Sequence, residues 1–191
     1  LISNKGTGTN LQAIIDGINL RKIKAQIVLV ISDSSDAYGL ERAKKANIKT
    51  LVLKSEDDIT EILKDLKLDF VCLTGWKKII PDSLIDNFKI LNIHPGLIPD
   101  TLDGVVKNPD GTDALWNKGK LTEKAIQNFL NSKATYAGST VHFLSKQFDF
   151  GPVLGRVFEK IKKGDSVESL YTRLKKKENE VYVRVLKRLC S

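Results

Sequence analysis

Residues 27–53 decide the fold. Ile27-Val28-Leu29-Val30-Ile31 is an unbroken, mostly β-branched apolar run, the stretch from about Ala37 to Ala46 has a helical pattern, and Thr50-Leu51-Val52-Leu53 returns to the apolar run. A strand without polar alternation is buried on both faces, and such strands belong to parallel sheets covered by helices. Outward from this unit, Phe70-Val71-Cys72-Leu73-Thr74 and Ile90-Leu91-Asn92-Ile93 repeat the strand type. Leu11, Ile14, Ile15 and Ile18 form one helical stripe, Ile59, Ile62, Leu63 and Leu66 another, and a short helix is expected near Pro81 to Phe88. The alternation predicts an α/β protein: a doubly wound, mostly parallel sheet with helices on both faces, as a single domain over residues 1–191.

From about residue 100 to 137 the rhythm breaks. Asp100 to Gly111 is rich in turn formers and two short helical patterns follow, so a long, partly helical excursion is expected, of the kind that often covers a site. Thr140 to Leu144 and Val153 to Phe158 then read as strands. Asp165-x-x-Glu168 resembles a capping box opening a final helix with its apolar stripe at Leu170, Leu174, Val181, Val185 and Leu189.

Composition narrows the class. The 191 residues are 41% hydrophobic and 28% charged, which excludes collagen-like, disordered and disulfide-scaffold proteins. No apolar run approaches the ~20 residues of a membrane helix, and no signal peptide is evident. Met is absent even at position 1 and Leu1-Ile2 reads as the end of a strand, so the numbering is expected to start inside the natural product. Two cysteines, Cys72 in an apolar run and Cys190, suggest a reducing, cytoplasmic setting, with Cys72 buried and inert. Of the net charge of +8, residues 156–191 carry +6. That basic tail fits a solvated helix face, a nucleic-acid surface, or a lysine on an anionic ligand. With 7% aromatics and no stacking or zinc-finger motif, no nucleic acid and no membrane partner is expected.

In doubly wound sheets ligands gather at the carboxyl ends of strands. This selects Gly6-Thr7-Gly8-Thr9-Asn10, Gly75-Trp76 and Asn92-Ile93-His94-Pro95. The glycine loop suits a phosphate, or is a plain turn with Thr9 or Asn10 as N-cap. Alternation places Asn92 and His94 on one face. An amide beside an imidazole serves attack on a carbonyl, one stabilising the oxyanion and the other exchanging protons; a core histidine satisfied by backbone is the bland alternative. Asp149 either caps the turn before Gly151-Pro152 or orients His94 and favours its charged form. His142, the other histidine, reads as a strand residue. The two Cys and two His lack metal-ligand spacing, so no metal is expected.

Six strings together resemble one family: Gly-Thr-Asn-Leu-Gln-Ala (8–13), Asp-Ala-Tyr-Gly-Leu-Glu-Arg-Ala (36–43), Leu-Asn-Ile-His-Pro-Gly-Leu-Ile-Pro (91–99), Ser-Thr-Val-His-Phe (139–143), Asp149-Phe-Gly-Pro-Val and Gly164-Asp-Ser-Val-Glu-Ser-Leu. In this order they are similar to glycinamide ribonucleotide formyltransferases, with a Rossmann-like fold. The resemblance implies formyl transfer from 10-formyltetrahydrofolate, as cosubstrate, to the amine of glycinamide ribonucleotide in purine biosynthesis, by a monomer or homodimer. It makes His94 the catalytic histidine, Asn92 the amide that holds the formyl oxygen and Asp149 the carboxylate that raises the histidine's pKa. Gly8, Thr9, Asn10, Lys175 and Glu178 would bind the ribonucleotide. Trp76, Lys77, Lys78, Ile79 and Ile80, with Asn92, Leu144, Ser145, Lys146, Gln147, Phe148 and Asp149, would meet the folate.

Departures from the family pattern are a longer first loop with Lys5 added, Asp57 or Asp58 where a basic residue is frequent, Lys78 for Arg, Gly96 for Ser, and the long excursion. Rival readings are a methionyl-tRNA formyltransferase, which normally has a further C-terminal domain, and a formyltetrahydrofolate deformylase, which normally has an added N-terminal one. A Rossmann nucleotide-binding module would use Asp33 for ribose, but the third glycine of its fingerprint is missing.

Overall fold

The computed structural model describes residues 1–3, 6–54 and 58–191; Lys5 and Asp57 lie outside the described residues. The chain divides into two compact units, Leu1–Leu91 with Leu186–Ser191, and Asn92–Val185.

The first unit holds α1 (Thr9–Asn19), β1 (Val30–Ser32), α2 (Tyr38–Lys45), β2 (Thr50–Val52), α3 (Ile59–Lys64), β3 (Val71–Cys72), α4 (Asp82–Asn87) and the start of β4 (Ile90–His94). β1 pairs parallel with β2, Ile31 opposite Leu51, and β3 parallel with β4, Cys72 opposite Leu91. Ile2, Leu11, Ile15, Val30, Ala37, Leu40 and Ala43 form its core cluster: apolar positions of α1 and α2 meet around the strand. The strands are shorter than their apolar runs. Ile27 packs half-buried against this cluster, but Val28 is 42% and Val52 39% exposed, so these runs are not buried on both faces as expected. The ladder begins only where Val30 N–H reaches Lys49 O, because pairing needs partner backbone whereas packing needs only apolar neighbours. Leu29 and Phe70 instead line a cavity of about 480 Å³ with mixed polar and apolar walls, which none of the predicted site residues borders. Leu1-Ile2 does run as strand: Ile2 N–H donates to Ile31 O, and Leu1 O accepts from Thr74 N–H. Cys72 is half-buried rather than buried.

The second unit holds the end of β4, α5 (Thr122–Asn131), β5 (Tyr136–Phe143), β6 (Val153–Lys160) and nearly all of α6 (Val167–Leu189). β4 has β3 on one side and β5 on the other. β5 and β6 form an antiparallel pair, from Tyr136 opposite Lys160 to His142 opposite Val153, with a register shift between Val141 and His142. Ile126, Phe129, Ala137, Leu170 and Leu174 are its buried core cluster, and Val181 and Val185 continue the predicted α6 stripe.

Two local expectations are corrected. The excursion contains one helix, α5, not two. Its earlier part instead closes a turn through Asn108 N–H to Thr112 O and an isolated bridge between Lys107 and Asp113. The capping box at α6 is one residue out of register. Ser166 Oγ accepts from Ser169 N–H at 3.1 Å and Ser169 Oγ from Ser166 N–H at 3.0 Å, so two serines do what the Asp165–Glu168 pair was expected to do. Asp165 is drawn off by Arg173, whose Nη2 donates to Oδ2 at 2.6 Å.

Candidate active site

The strand β4 ends at Pro95, which cannot donate to a ladder, and its last residues include the predicted site residues Asn92 and His94. His94 is 2% exposed and Asn92 half-buried. β5 brings His142, fully buried, beside Asn92. His142 Nδ1 lies 3.0 Å from the Phe143 carbonyl, which can only accept, so Nδ1 carries the hydrogen. Nε2 is then the acceptor, and the Asn92 amide donates to it at 3.3 Å. Burial, and next the charge of His94, push the His142 pKa down to about 4, so the ring is neutral at pH 7 and this hydrogen bond holds. One amide hydrogen of Asn92 is thereby tied and its second is left for another acceptor.

Asp149 comes from the turn between β5 and β6, with a left-handed backbone at φ 49°. Its Oδ1 is 3.5 Å from His94 Nδ1, and its Oδ2 accepts from Gly119 N–H at 2.7 Å. Burial alone would raise the Asp149 carboxyl, but the His94 hydrogen bond and charge together with the Gly119 N–H outweigh it and hold the group below the ordinary carboxylate range. Asp149 is thus an anion facing the imidazole. On the opposite side of the ring, His94 Nε2 donates to the Trp116 carbonyl at 2.7 Å. Both ring nitrogens therefore face acceptors.

The other predicted residues are distributed as follows. On α6, Lys175 Nζ pairs with Glu178 Oε2 at 3.0 Å, and Glu178 Oε1 accepts from Ser139 Oγ at 2.6 Å. Burial opposes the Lys175 charge, yet Glu178 and Tyr171 outweigh it and raise its pKa. Elsewhere in the basic tail, Lys177 pairs with Glu159, Arg173 with both Glu159 and Asp165, and Arg156 with Asp100. Leu144 and Ser145 are half-buried, Ser145 Oγ donating to Phe150 O at 2.8 Å; Lys146, Gln147 and Phe148 are exposed. In the first unit, neither Thr9 nor Asn10 caps α1: Gly8 does, at φ 66°, with no side-chain hydrogen bond. Thr9 Oγ1 and Asn10 Oδ1 are buried without partners, as is Trp76 Nε1. Lys77, Lys78 and Ile79 are exposed and Ile80 half-buried. Among the described residues no group of three or more His, Cys, Asp or Glu could hold a metal, and no helix is long and apolar enough to cross a membrane.

Comparison with known proteins shows the family. Residues 1–186 match the family described as formyl transferase. The chain belongs to the formyl transferase family. Relatives of this formyl transferase include the phosphoribosylglycinamide formyltransferase of Haemophilus influenzae, 34% identical over 95% of this chain and 82% of that protein. The trifunctional purine biosynthetic protein adenosine-3 of Bos taurus is 32% identical, and the chloroplastic phosphoribosylglycinamide formyltransferase of Arabidopsis thaliana 29%. The chain spans 18% and 63% of the lengths of those two. Among solved structures, glycinamide ribonucleotide transformylase 1 of Symbiobacterium toebii is similar at 31% identity and a TM-score of 0.80, covering 97% of this chain and 84% of that one. The Brucella melitensis phosphoribosylglycinamide formyltransferase is 30% identical, also at 0.80, covering 100% and 94%. The α/β, Rossmann-like expectation agrees with these neighbours.

Two residues that touch the predicted site residues of this formyl transferase were not among those expected. His142 was read as a plain strand residue; a polar side chain at a position of complete burial, on the strand beside Asn92, was the available signal. The Trp116 contact had no local signal, since a main-chain carbonyl is common to every residue.

Proposed function

We propose that the protein transfers the formyl group of 10-formyltetrahydrofolate to the amine of glycinamide ribonucleotide, acting as one formyltransferase domain. The observation that carries this reading is the meeting, within the second unit, of Asn92, His94 and Asp149 from distant points of the chain. The neutral amine attacks the formyl carbon, a C–N bond forms, and the carbonyl oxygen becomes an oxyanion. The Asn92 hydrogen not engaged by His142 is the donor for that oxygen. Collapse breaks the bond to the folate nitrogen, which leaves with a proton while the attacking nitrogen loses one; His94, held beside anionic Asp149, is the group that moves it. Lys175 and Glu178, already fixed by Ser139, read as ribonucleotide contacts. The Gly8–Asn10 loop of the first unit, with a left-handed glycine opening a helix, reads as a phosphate cradle. The Trp76–Ile80 and Leu144–Phe148 segments, which expose Lys77, Lys78, Ile79, Lys146, Gln147 and Phe148, read as folate contacts.

Steady-state formyl transfer with these substrates tests the reading. His94→Ala and Asp149→Asn are expected to lose about 10²–10⁴-fold in kcat, the range of positioned proton transfer, and Asn92→Ala about 10²–10³-fold, that of an oxyanion donor. Parental turnover in His94→Ala would refute it.

A further inference from the structure

We propose that Trp116, in the excursion, is a positioning residue for formyl transfer, clamping the His94–Asp149 pair from both ends; this rests on the reading of that pair as catalytic. Its indole Nε1–H donates to the Asp149 carbonyl at 3.0 Å, while its own carbonyl accepts from His94 Nε2 at 2.7 Å. A single residue thus grips the backbone of the acid and the ring of the imidazole.

The grip matters because Asp149 is strained. A left-handed backbone is disfavoured in a residue with a Cβ and persists where the surroundings hold it. Two of the bonds that hold it come from the excursion, the Trp116 indole and the Gly119 N–H. Trp116 is itself anchored. Leu97 N–H donates to Leu115 O, and the buried Asn117 side chain donates to the Pro95 and Ala125 carbonyls at 3.1 and 3.2 Å. The residues on either side of Trp116 are therefore stitched to the turn that follows His94. The Trp116 ring lies 5.8 Å from that of Phe150, the residue after Asp149, and Lys118 Nζ sits 5.0 Å over it.

Gly96 makes the clamp sterically possible. A Cβ at this position would fall 1.8 Å from the Trp116 oxygen and 2.9 Å from His94 Nε2. Two departures seen in the sequence, the missing side chain at 96 and the long excursion, are therefore halves of one change. The chain gives up a side chain beside the catalytic histidine and gains a main-chain acceptor there.

Two variants separate the two ends of the clamp. Trp116→Phe keeps a ring and removes the N–H; Gly96→Ala keeps Trp116 and forces its carbonyl away. Both are assayed by steady-state formyl transfer beside His94→Ala, at a temperature where circular dichroism shows each to be folded. Misplaced catalytic groups lower turnover by up to about 100-fold, so each variant is expected to lose about 10- to 100-fold in kcat, with KM for both substrates within about twofold of the parent. Either variant with parental kcat, or with its loss confined to KM, overturns the clamp; should Trp116→Phe fail to fold, Gly96→Ala alone decides it by the same criterion. If the two variants are active and His94→Ala is dead, the clamp fails and the catalytic reading survives. Parental activity in His94→Ala removes the reading beneath it.

Discussion

At the scale of single residues, two histidines on neighbouring strands are assigned different surroundings. His142 is stripped of water and placed near His94, so it stays neutral and serves as an acceptor that fixes the Asn92 amide. His94 faces a carboxylate at Nδ1 and a carbonyl at Nε2. The first assignment has a consequence for stability. In the unfolded chain His142 titrates near 6.5, and in the folded chain near 4. Above pH 6.5 it is neutral in both states and its contribution is fully present. As pH falls from 6.5 to 4 only the unfolded chain takes up the proton, and stability falls by about 3 kcal/mol. Urea unfolding at pH 7 and pH 4.5 should show this decline in the parent and largely lose it in His142→Gln. An equal decline in both would mean that other groups account for it.

At the scale of elements, helix termini show how tertiary competition rearranges a correct local signal. Asp165 has the right chemistry to cap α6, yet Arg173 at 2.6 Å and 2.9 Å takes both its oxygens. Ser166 and Ser169 close the box instead. Loss of a serine N-cap costs about 1 kcal/mol. Ser166→Ala should therefore lower the unfolding free energy by about that amount, whereas Glu168→Ala, exposed in the first turn, should change it by less than about 0.5 kcal/mol. Denaturant melts of the two variants check the ranking. The antiparallel β5–β6 pair supplies His142 from a strand and Asp149 from its connecting turn, so one supersecondary unit delivers a partner to both Asn92 and His94 of β4.

At the scale of the whole molecule, a chain that binds formyl-folate must be stabilised by it. A ligand at about 100 times its Kd adds about 2.7 kcal/mol, and for a chain of this size each kcal/mol raises the melting temperature by about 2–4 °C. A folate analogue at saturation is expected to raise Tm by about 5 °C or more, and NAD to leave it unchanged. Stabilisation by NAD alone would favour the nucleotide-binding alternative. Scanning fluorimetry of the parent chain with each ligand decides between them.

The sequence by itself determined the periodic features. The apolar runs at 27–31, 50–53, 70–74 and 90–93 and the helical stripes are local properties, because burial of one face or two imposes its period on the chain. The Asn92–His94 spacing and the turn before Gly151 were legible for the same reason, and the resemblance named their roles. Tertiary structure alone decided where the ladders begin, which serine caps α6, that His142 holds Asn92, and that Trp116 grips His94 and Asp149. These are contacts between residues remote in the chain, made through backbone groups or by competition for a shared partner. Side-chain pattern cannot encode them: every residue carries the same carbonyl and, proline aside, the same N–H, and only the fold selects which of them meet.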